Sequence, residues 1–128
     1  ALERLGDVGV LYRCFRTRKE LMAFAAGAPH ADDPIDAQAF RGGPIPADQE
    51  ARLLAEGRPF AWRLSLDRAR EALGGFDGLT WIEQGGDDPG VRAAWPEALG
   101  DMVLGRKDIG AGYVIASVVD DAAQGVTH

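Results

Sequence analysis

The chain is poor in the residues that build disulfides and metal sites. Its 128 residues include one cysteine and two histidines. A single cysteine cannot form an internal disulfide, which is consistent with a reducing compartment such as the cytoplasm. No apolar run is long enough to span a bilayer, and no secretory leader pattern precedes Glu3. These shortages predict a cytoplasmic protein that does not associate with a membrane.

Basic charge is also scarce. Fourteen Lys and Arg residues face twenty Asp and Glu residues, which gives a formal net charge of -6. This balance argues against a free-standing, non-specific nucleic-acid binder, although an RNA-binding parent could carry its basic face elsewhere. Hydrophobic residues make up 46% of the chain, so its length and composition predict one ordered domain with a real core.

Local patterns predict strands and helices in mixed order. The predicted strands cover Val10–Arg16, Phe60–Leu66, Leu79–Glu83 and Asp101–Leu104, the predicted helices cover 1–5, 17–27, 46–57 and 67–73, and loops cover 28–46 and 85–100, the latter with room for one helical turn. Thr17 and Glu20 fit a capping box, and Asp67 is the expected cap of the fourth helix. Gly6 and Gly74 are expected to end the first and fourth helices.

No regular β-α-β rhythm and no internal repeat is visible, so the expected fold class is α/β, a mixed sheet with helices, with α+β as the neighbouring possibility. Residues 114–123 fit either a buried strand or a helix that Gly125 caps. Val126 and Thr127 predict the opening of a further strand. Both ends interrupt an element, so we expect a piece of a larger protein.

Three segments, in order along the chain, carry a resemblance to a known family. Tyr113 to His128 follows the motif Tyr-x-x-Ala-x-Val-Val-Asp-Asp-x-x-x-Gly-Val-Thr-His. Leu11 to Leu21 is similar to the family's Tyr-x-Cys-x-Cys-Thr-Arg segment, and Gly100 to Asp108 to its Gly-Asp-Val-Val-Leu-x-Arg-Lys-Asp segment. The chain resembles the glutamyl-tRNA synthetases and leans toward their truncated branch, the glutamyl-Q tRNA(Asp) synthetases.

The resemblance implies a class I synthetase, in which an inserted subdomain interrupts a Rossmann-like catalytic domain. Residues 1–108 would form the insertion, and residues 109–128 would begin the second half of the catalytic fold, with 114–123 as a helix. The parent would activate glutamate with ATP and Mg²⁺ and transfer it to queuosine at the wobble position of tRNA(Asp). The chain alone is expected to be inactive, because it lacks the family's His-x-Gly-His-type segment and its lysine-bearing loop.

The resemblance also implies one substrate-binding residue, Tyr113, whose counterpart in the family contacts the bound glutamate. A phenol suits this role because it offers one directional hydrogen bond from a rigid apolar body. A structural hydroxyl at an interface is the alternative. The family's carboxylate-pairing arginine falls beyond His128, so no complete pocket and no catalytic residue is expected within the chain.

Zinc is the sharpest departure from the family pattern. Relatives build a Zn²⁺ site from a Cys-x-Cys pair and a later Tyr-x-x-x-Cys. Here Cys14 is present, but Arg16 replaces the second cysteine, and alignment on the following arginine puts Phe40 and Asp36 in the places of the last cysteine and the tyrosine. One thiol beside an arginine cannot hold structural zinc. We therefore predict no zinc and expect Cys14 to be a buried, small apolar residue.

Other chemistry-bearing residues favour structural interpretations. Asp120 and Asp121 are adjacent on the expected helix and would point about 100° apart, so they do not converge on one ion. Gly110–Gly112 matches no phosphate-binding motif and predicts a flexible turn. Arg106 and Lys107 could contact a tRNA backbone or line a solvated hairpin.

The tryptophans divide by their local pattern. Phe60, Trp62 and Leu64 alternate with Ala61 and Arg63, so we expect Trp62 in the core. Trp81 also lies on a predicted strand and is expected in the core. Trp95 lies in a loop, where both a structural role and base stacking stay open.

Two other functions compete with the leading one. The first keeps the chemistry but changes the target, as a glutamyl-tRNA synthetase that charges the 3′ end of a tRNA. The second is a non-catalytic binding or scaffold module derived from the insertion, which the loss of zinc ligands makes worth testing. The sequence leaves the tRNA target and the oligomeric state open.

Overall fold

The computed structural model describes residues 1–17, 19–21, 40–108 and 110–128. Its elements are α1 (Leu2–Asp7), β1 (Leu11–Cys14), α2 (Ala47–Ala55), β2 (Ala61–Leu64), α3 (Leu66–Leu73), β3 (Thr80–Glu83), β4 (Gly90–Ala93), a 3₁₀ turn (Pro96–Leu99), β5 (Val103–Arg106), β6 (Gly110–Ala111) and α4 (Tyr113–Gln124). Asp36 and most of the expected 17–27 helix and 28–46 loop lie outside the described residues. Within those residues, no helix has both the length and the apolar character needed to cross a membrane.

A four-stranded sheet in the order β1-β2-β5-β6 organises the chain, beside a separate two-stranded sheet of β3 and β4. All pairings between the described strands are antiparallel. The expected combination of strands and helices is confirmed, but these sheets contain no parallel pair of the kind a mixed sheet requires. Helices α2 and α3 lie between paired strands along the chain, but the connections that contain them do not return the chain to the same end of the sheet, so each strand runs opposite to its neighbour.

The core lies where β1, β5 and α4 meet. Leu11, Leu104 and Ile115 are buried together there, one from each element. The partly buried side chains packed against them are Leu2, Leu5, Trp62, Leu64 and Met102. Helices α1 and α4, from the two ends of the described chain, therefore share one hydrophobic cluster with the sheet.

The helix ends show which local signals are reliable. The capping box is confirmed, because the backbone N–H of Glu20 donates to Thr17 Oγ1 at 3.2 Å and the Thr17 N–H donates to Glu20 Oε2 at 2.6 Å. The expected stop at Gly74 is confirmed too, since Gly74 has the left-handed φ of 71°. Gly125 ends α4 in the same way, with φ of 70°, which decides the ambiguous 114–123 stretch in favour of a helix.

Two predicted helix ends are wrong by one or more residues. Helix α1 continues through Gly6 to Asp7, and the left-handed glycine after it is Gly9. Helix α3 begins earlier than expected, because the Ser65 side chain accepts from the N–H of Arg68 and Asp67 lies inside the first turn. An acidic first-turn residue still interacts favourably with the helix dipole, so Asp67 supports the helix without capping it.

The 79–100 region contains more structure than its sequence pattern predicts. The expected strand over 79–83 is confirmed as β3, and the helical turn allowed in the 85–100 loop is the 3₁₀ turn. Strand β4 was not predicted. It is only four residues long, begins at a glycine, and is defined by pairing with β3.

Beyond α4, residues 126–128 have no regular secondary structure and are exposed. The strand expected to open at Val126 and Thr127 is therefore not seen in the described chain.

Candidate functional site

Tyr113 is the first residue of α4 and is 85% exposed. Its carbonyl oxygen accepts a hydrogen bond from Ser117 Oγ at 3.0 Å, the contact to the carbonyl four residues earlier that serine often makes within a helix. The phenol itself points away from the core to which Ile115 contributes, because two successive steps along a helix rotate by roughly 200°. The structure thus places the predicted substrate-binding tyrosine on an open surface, and its role stays a prediction.

The N-terminus of α4 lacks a side-chain cap. Gly112 is the N-cap residue, with no side chain to accept a bond from the helix, and the first turn contains no acidic residue. The leading N–H groups of a helix carry partial positive charge and favour a negatively charged partner. Tyr113 therefore stands beside a surface that is suited to a carboxylate.

The polar face of α4 continues from Tyr113 through Ser117 to Asp120 and Asp121, at helical spacings of four, seven and eight residues. Both aspartates are exposed. Within the described ranges, no three His, Cys, Asp or Glu side chains gather as a metal site would require. The two aspartates are not brought together with any other acidic cluster there.

The opposite face of α4 lines an apolar groove against α1. Leu5 and Val8 from α1 and its C-terminus, and Ile115, Val118 and Val119 from α4, border a cavity of about 560 Å³ together with Ala1, Arg4 and Asp7. Val8 and Val118 are largely exposed. Helix α4 therefore separates a polar face with Tyr113 from an apolar face that is only partly covered.

The positions aligned with zinc ligands lie around a second cavity, of about 260 Å³. Cys14, Arg16 and Phe40 all line it, so the fold brings these three aligned positions to one place. Cys14 is buried and has a free thiol, as expected. A guanidinium and a phenyl ring supply no electron pair to a metal, so these three side chains do not fit zinc.

Asp101 is the central polar residue of the fold, and the sequence reasoning missed it. Its Oδ2 accepts from the Tyr12 hydroxyl at 2.8 Å and from the Gly43 N–H at 3.4 Å, and its Oδ1 accepts from the Leu66 N–H at 3.0 Å. Its own N–H donates to the Phe40 carbonyl at 2.7 Å. The only available signal was its place directly after Gly100 in the family-like segment.

Tyr12 is the ionisable group that this arrangement perturbs most clearly. Burial raises the pKa of the Tyr12 phenol well above its usual range, and the hydrogen bond to the Asp101 carboxylate raises it further. Tyr12 therefore stays protonated in the folded protein and acts as a permanent donor to Asp101.

Arg63 reverses the expected burial of β2. It is 9% exposed, whereas Trp62 is only partly buried. Trp62 does pack against the core cluster, as predicted, but the second face of β2 is covered as well, with the Arg63 guanidinium over the Phe40 ring and bonded to the Asp101 carbonyl. Alternation alone could not reveal that covering loop.

A second group of stacked side chains lies on the Trp62 face. The Arg13 guanidinium carbon is 4.6 Å from the Trp62 ring and 5.4 Å from that of Phe60, and Arg13 also pairs with Glu50 at 2.5 Å. Lys107 lies 6.0 Å from the Phe60 ring. Much of this basic charge is therefore engaged with neighbouring side chains, which weakens its use as an RNA contact.

The glycine-rich link before α4 forms a tight hairpin. A Cβ at Gly105 would lie 2.6 Å from the Gly110 carbonyl oxygen, so β5 and β6 approach too closely for a side chain there. Gly110 has φ of +79°. The flexible turn predicted at Gly110–Gly112 is wrong: Gly110 and Ala111 form β6, and Gly112 is the N-cap of α4, because the glycines allow close strand pairing. Arg106 and Lys107 are exposed at this hairpin.

Trp81 and Trp95 are 51% and 64% exposed. The expectation that Trp81 lies in the core is wrong, because β3 pairs only with β4 and no other described strand covers it. Trp95 immediately precedes the 3₁₀ turn, and its role stays open.

Comparison with known proteins identifies relatives along the whole chain, although no family model matches it. It is 34% identical to the glutamyl-Q tRNA(Asp) synthetase of Rhodobacter capsulatus, covering 100% of the chain and 45% of that relative. It is 40% identical to the glutamyl-Q tRNA(Asp) synthetase of Leptothrix cholodnii, covering 99% and 39% respectively. It is 35% identical to glutamate–tRNA ligase 2 of Gluconobacter oxydans, covering 99% and 26%. The chain thus spans less than half the length of these relatives.

Proposed function

We propose that this chain, which belongs by sequence to the family of the glutamyl-Q tRNA(Asp) synthetases and glutamate–tRNA ligases, is part of an ATP-dependent ligase that activates glutamate. The observation that carries the proposal is similarity along essentially the whole chain to several proteins of those names. Several relatives that match nearly the whole chain at 33–40% identity are called glutamyl-Q tRNA(Asp) synthetase, which favours tRNA(Asp), and queuosine within it, as the acceptor.

Tyr113 is the proposed glutamate contact of the chain. Its exposure leaves the phenol available to a substrate, and the uncapped N-terminus of α4 offers N–H groups beside it. Glutamate carries two carboxylates, and a helix N-terminus is a favourable place for a negative charge. The phenol would give direction to the contact, and the helix would give charge complementarity.

The α1–α4 groove is the proposed surface against which the remainder of the catalytic body packs. Exposed apolar side chains there, Val8 and Val118 among them, are costly to leave in water. In this proposal, residues 1–108 form the inserted subdomain, and residues 109–128 begin the second half of a Rossmann-like fold. Pairing of β5 with β6 ties the two parts together at their boundary.

ATP and Mg²⁺ are proposed for the whole protein, and the described residues are not assigned to them. Mg²⁺ would neutralise phosphate charge during adenylate formation. Among the described residues, no group of three metal-ligating side chains is present, and the glycines near Arg106 serve strand pairing. What this chain would contribute is substrate positioning through Tyr113. Because tRNA is the proposed acceptor, we place the protein in the cytoplasm.

Glutamate-dependent ATP–pyrophosphate exchange by the full protein tests the proposal. We expect exchange with glutamate, followed by transfer to queuosine-bearing tRNA(Asp) and not to tRNA(Glu). Exchange followed by charging of tRNA(Glu) would assign the protein to the glutamate–tRNA ligases. A folded full protein without exchange would leave the non-catalytic module as the better description.

Tyr113→Phe in the full protein tests the glutamate contact. Loss of a hydrogen bond to a charged substrate should raise the KM for glutamate by about 10-fold or more, with ATP binding unchanged. Ser117→Ala, one turn along the same helix face, is the matched control and should leave that KM within about 2-fold. Equal behaviour of the two variants would remove Tyr113 from the site.

A further inference from the structure

The cavity around Cys14 contains a side-chain stack in place of a set of metal donors. Arg16 and Phe40, at two positions where the family resemblance places zinc thiolates, both line this cavity, and both lie outside the strands and helices. The Arg16 guanidinium carbon is 5.6 Å from the centroid of the Phe40 ring. A cation over an aromatic face at this distance is an attractive contact.

Arg63 supplies a second guanidinium to the same ring. Its central carbon lies 4.8 Å from the Phe40 centroid, and its Nη1 donates to the carbonyl oxygen of Asp101. The Nε of Arg63 is buried and, among the described residues, has no hydrogen-bond partner. The Phe40 ring face therefore provides a favourable contact to the buried Arg63 charge, whose burial without partners would be unfavourable.

The backbone around Phe40 is fixed independently of its ring. The Phe40 carbonyl accepts from the Asp101 N–H at 2.7 Å, and the Gly43 N–H donates to the Asp101 carboxylate at 3.4 Å. Through Asp101, the 40–43 segment is joined to β1 at Tyr12 and to the start of α3 at Leu66. The ring is thus held in place by both backbone and side-chain contacts.

Gly42 is shaped to admit this ring. A Cβ at Gly42 would lie 2.2 Å from Phe40 Cζ and 2.6 Å from Cε1, which no real side chain tolerates. The φ of Gly42 is not in the left-handed region, so the requirement for glycine comes from the ring alone. This close approach is a second observation, separate from the cation–ring distances, that the Phe40 position is built in.

We propose that the Arg16–Phe40–Arg63 stack, anchored to Asp101, does here what a zinc ion does in metal-containing relatives: it joins the end of β1 to the 40–43 segment and holds this region without a metal. The inference concerns this chain's architecture, so it stands or falls separately from the choice of tRNA and from the role of Tyr113.

The metal content of the full protein gives the most direct test. Purified from zinc-supplemented medium, it should contain less than about 0.1 equivalent of zinc, and its Tm should not change with a strong chelator. Stoichiometric zinc, or a chelator-induced fall in Tm, would overturn the proposal.

Gly42→Ala tests the stack itself, with Gly78→Ala as the matched control. A Cβ at Gly78 meets nothing within 4 Å, and its φ is not in the left-handed region. Gly42→Ala should displace the Phe40 ring and lower the Tm by about 5 °C or more, while Gly78→Ala should change it by less than about 2 °C.

A double variant separates ring displacement from a general backbone effect. In a Phe40→Leu background, which lacks the ring, Gly42→Ala should lower the Tm by less than half of its effect in the unaltered protein. Equal effects in the two backgrounds, or a harmless Gly42→Ala, would show that the stack does not hold this region.

Adding thiols tests whether this cavity corresponds to the zinc site of metal-containing relatives. Arg16→Cys combined with Phe40→Cys adds two thiols beside Cys14, and Co²⁺ added to this variant should produce a thiolate charge-transfer band that the unaltered protein lacks. A folded double variant that takes up no cobalt would overturn the assignment of this cavity to the metal positions.

Discussion

Two antiparallel sheets of this protein meet solvent in different ways. In the four-stranded sheet, β1 and β5 contribute the buried Leu11 and Leu104, whereas all four residues of β3 in the two-stranded sheet are exposed. Trp62 and Trp81 each occupy the second position of a four-residue strand. One packs against the core and the other is half in water, so an apolar residue on a strand does not by itself indicate a core position.

The difference lies in what covers each strand. Strand β2 has a partner on both edges, Arg13 and Phe60 against Trp62 on one face, and Phe40 against Arg63 on the other. Among the strands that the structure describes, β3 pairs only with β4. A two-stranded hairpin alone is marginally stable in water. We therefore expect the free energy of local unfolding to be lower for the β3–β4 sheet than for the four-stranded sheet.

The largest loss of stability should follow from removing the buried carboxylate of Asp101. Asp101→Ala leaves the donors of Tyr12, Gly43 and Leu66 without their acceptor and should lower the free energy of unfolding by about 3–5 kcal/mol. Asp87→Ala, an exposed residue of the β3–β4 connection, should change it by less than about 0.5 kcal/mol. Urea denaturation followed by circular dichroism measures both, and similar values would break the contrast between the sheets.

The two tryptophans sharpen the contrast at matched strand positions. Trp62→Leu should lower the free energy of unfolding by about 2–3 kcal/mol, because it removes packing against the core and the ring that the Arg13 guanidinium contacts. Trp81→Leu should change the free energy of unfolding by less than about 0.5 kcal/mol, since about half of the side chain is already in solvent. A large cost at Trp81 would mean that the hairpin is packed more tightly than its exposure indicates.

Alkaline pH should weaken the four-stranded sheet through Tyr12. Its pKa is raised on folding, so the folded state keeps a proton that the unfolded state loses above pH of about 10. Stability is therefore complete below that pH and falls above it, by up to about 1.4 kcal/mol per pH unit. Denaturation midpoints between pH 8 and 11 check this, and Tyr12→Phe should flatten the slope.

The smallest effect should distinguish two ion pairs of similar geometry. Arg13 and Glu50 are 2.5 Å apart and partly buried, whereas Arg92 and Asp88 are 2.7 Å apart with the carboxylate almost fully exposed. Glu50→Gln should lower the free energy of unfolding by about 1 kcal/mol and Asp88→Asn by about 0.3 kcal/mol, both measured by urea denaturation. The effect of Asp88→Asn should vanish in high salt. The reverse order would show that the hairpin pair contributes more than its exposure suggests.

Local signals in the sequence predicted local structure well. The Thr17 and Glu20 capping box, the left-handed glycines Gly74 and Gly125, and the strand at β3 were all found, because each depends on a few neighbouring residues. The helical nature of 114–123 was open by pattern and followed from the family resemblance.

Features that depend on distant residues were missed. The burial of Arg63 requires Phe40, 23 positions earlier, and the role of Asp101 requires Tyr12, 89 positions away. Neither spacing leaves a periodic trace. The exposure of Trp81 was wrong for the same reason, since only the tertiary arrangement determines whether a strand is covered. The substrate role of Tyr113 rests on the motif and awaits its kinetic test.

Asp101 has a consequence for how this protein tolerates mutation. Most of its partners are main-chain atoms, namely the N–H groups of Gly43 and Leu66 and the carbonyl of Phe40. Main-chain groups are present whatever side chain a position carries, so replacements of Leu66 leave that hydrogen bond available. Deep mutational scanning should accordingly find position 101 intolerant, while replacements of Leu66, which bonds through its main chain, should be judged by their packing and not by their polarity.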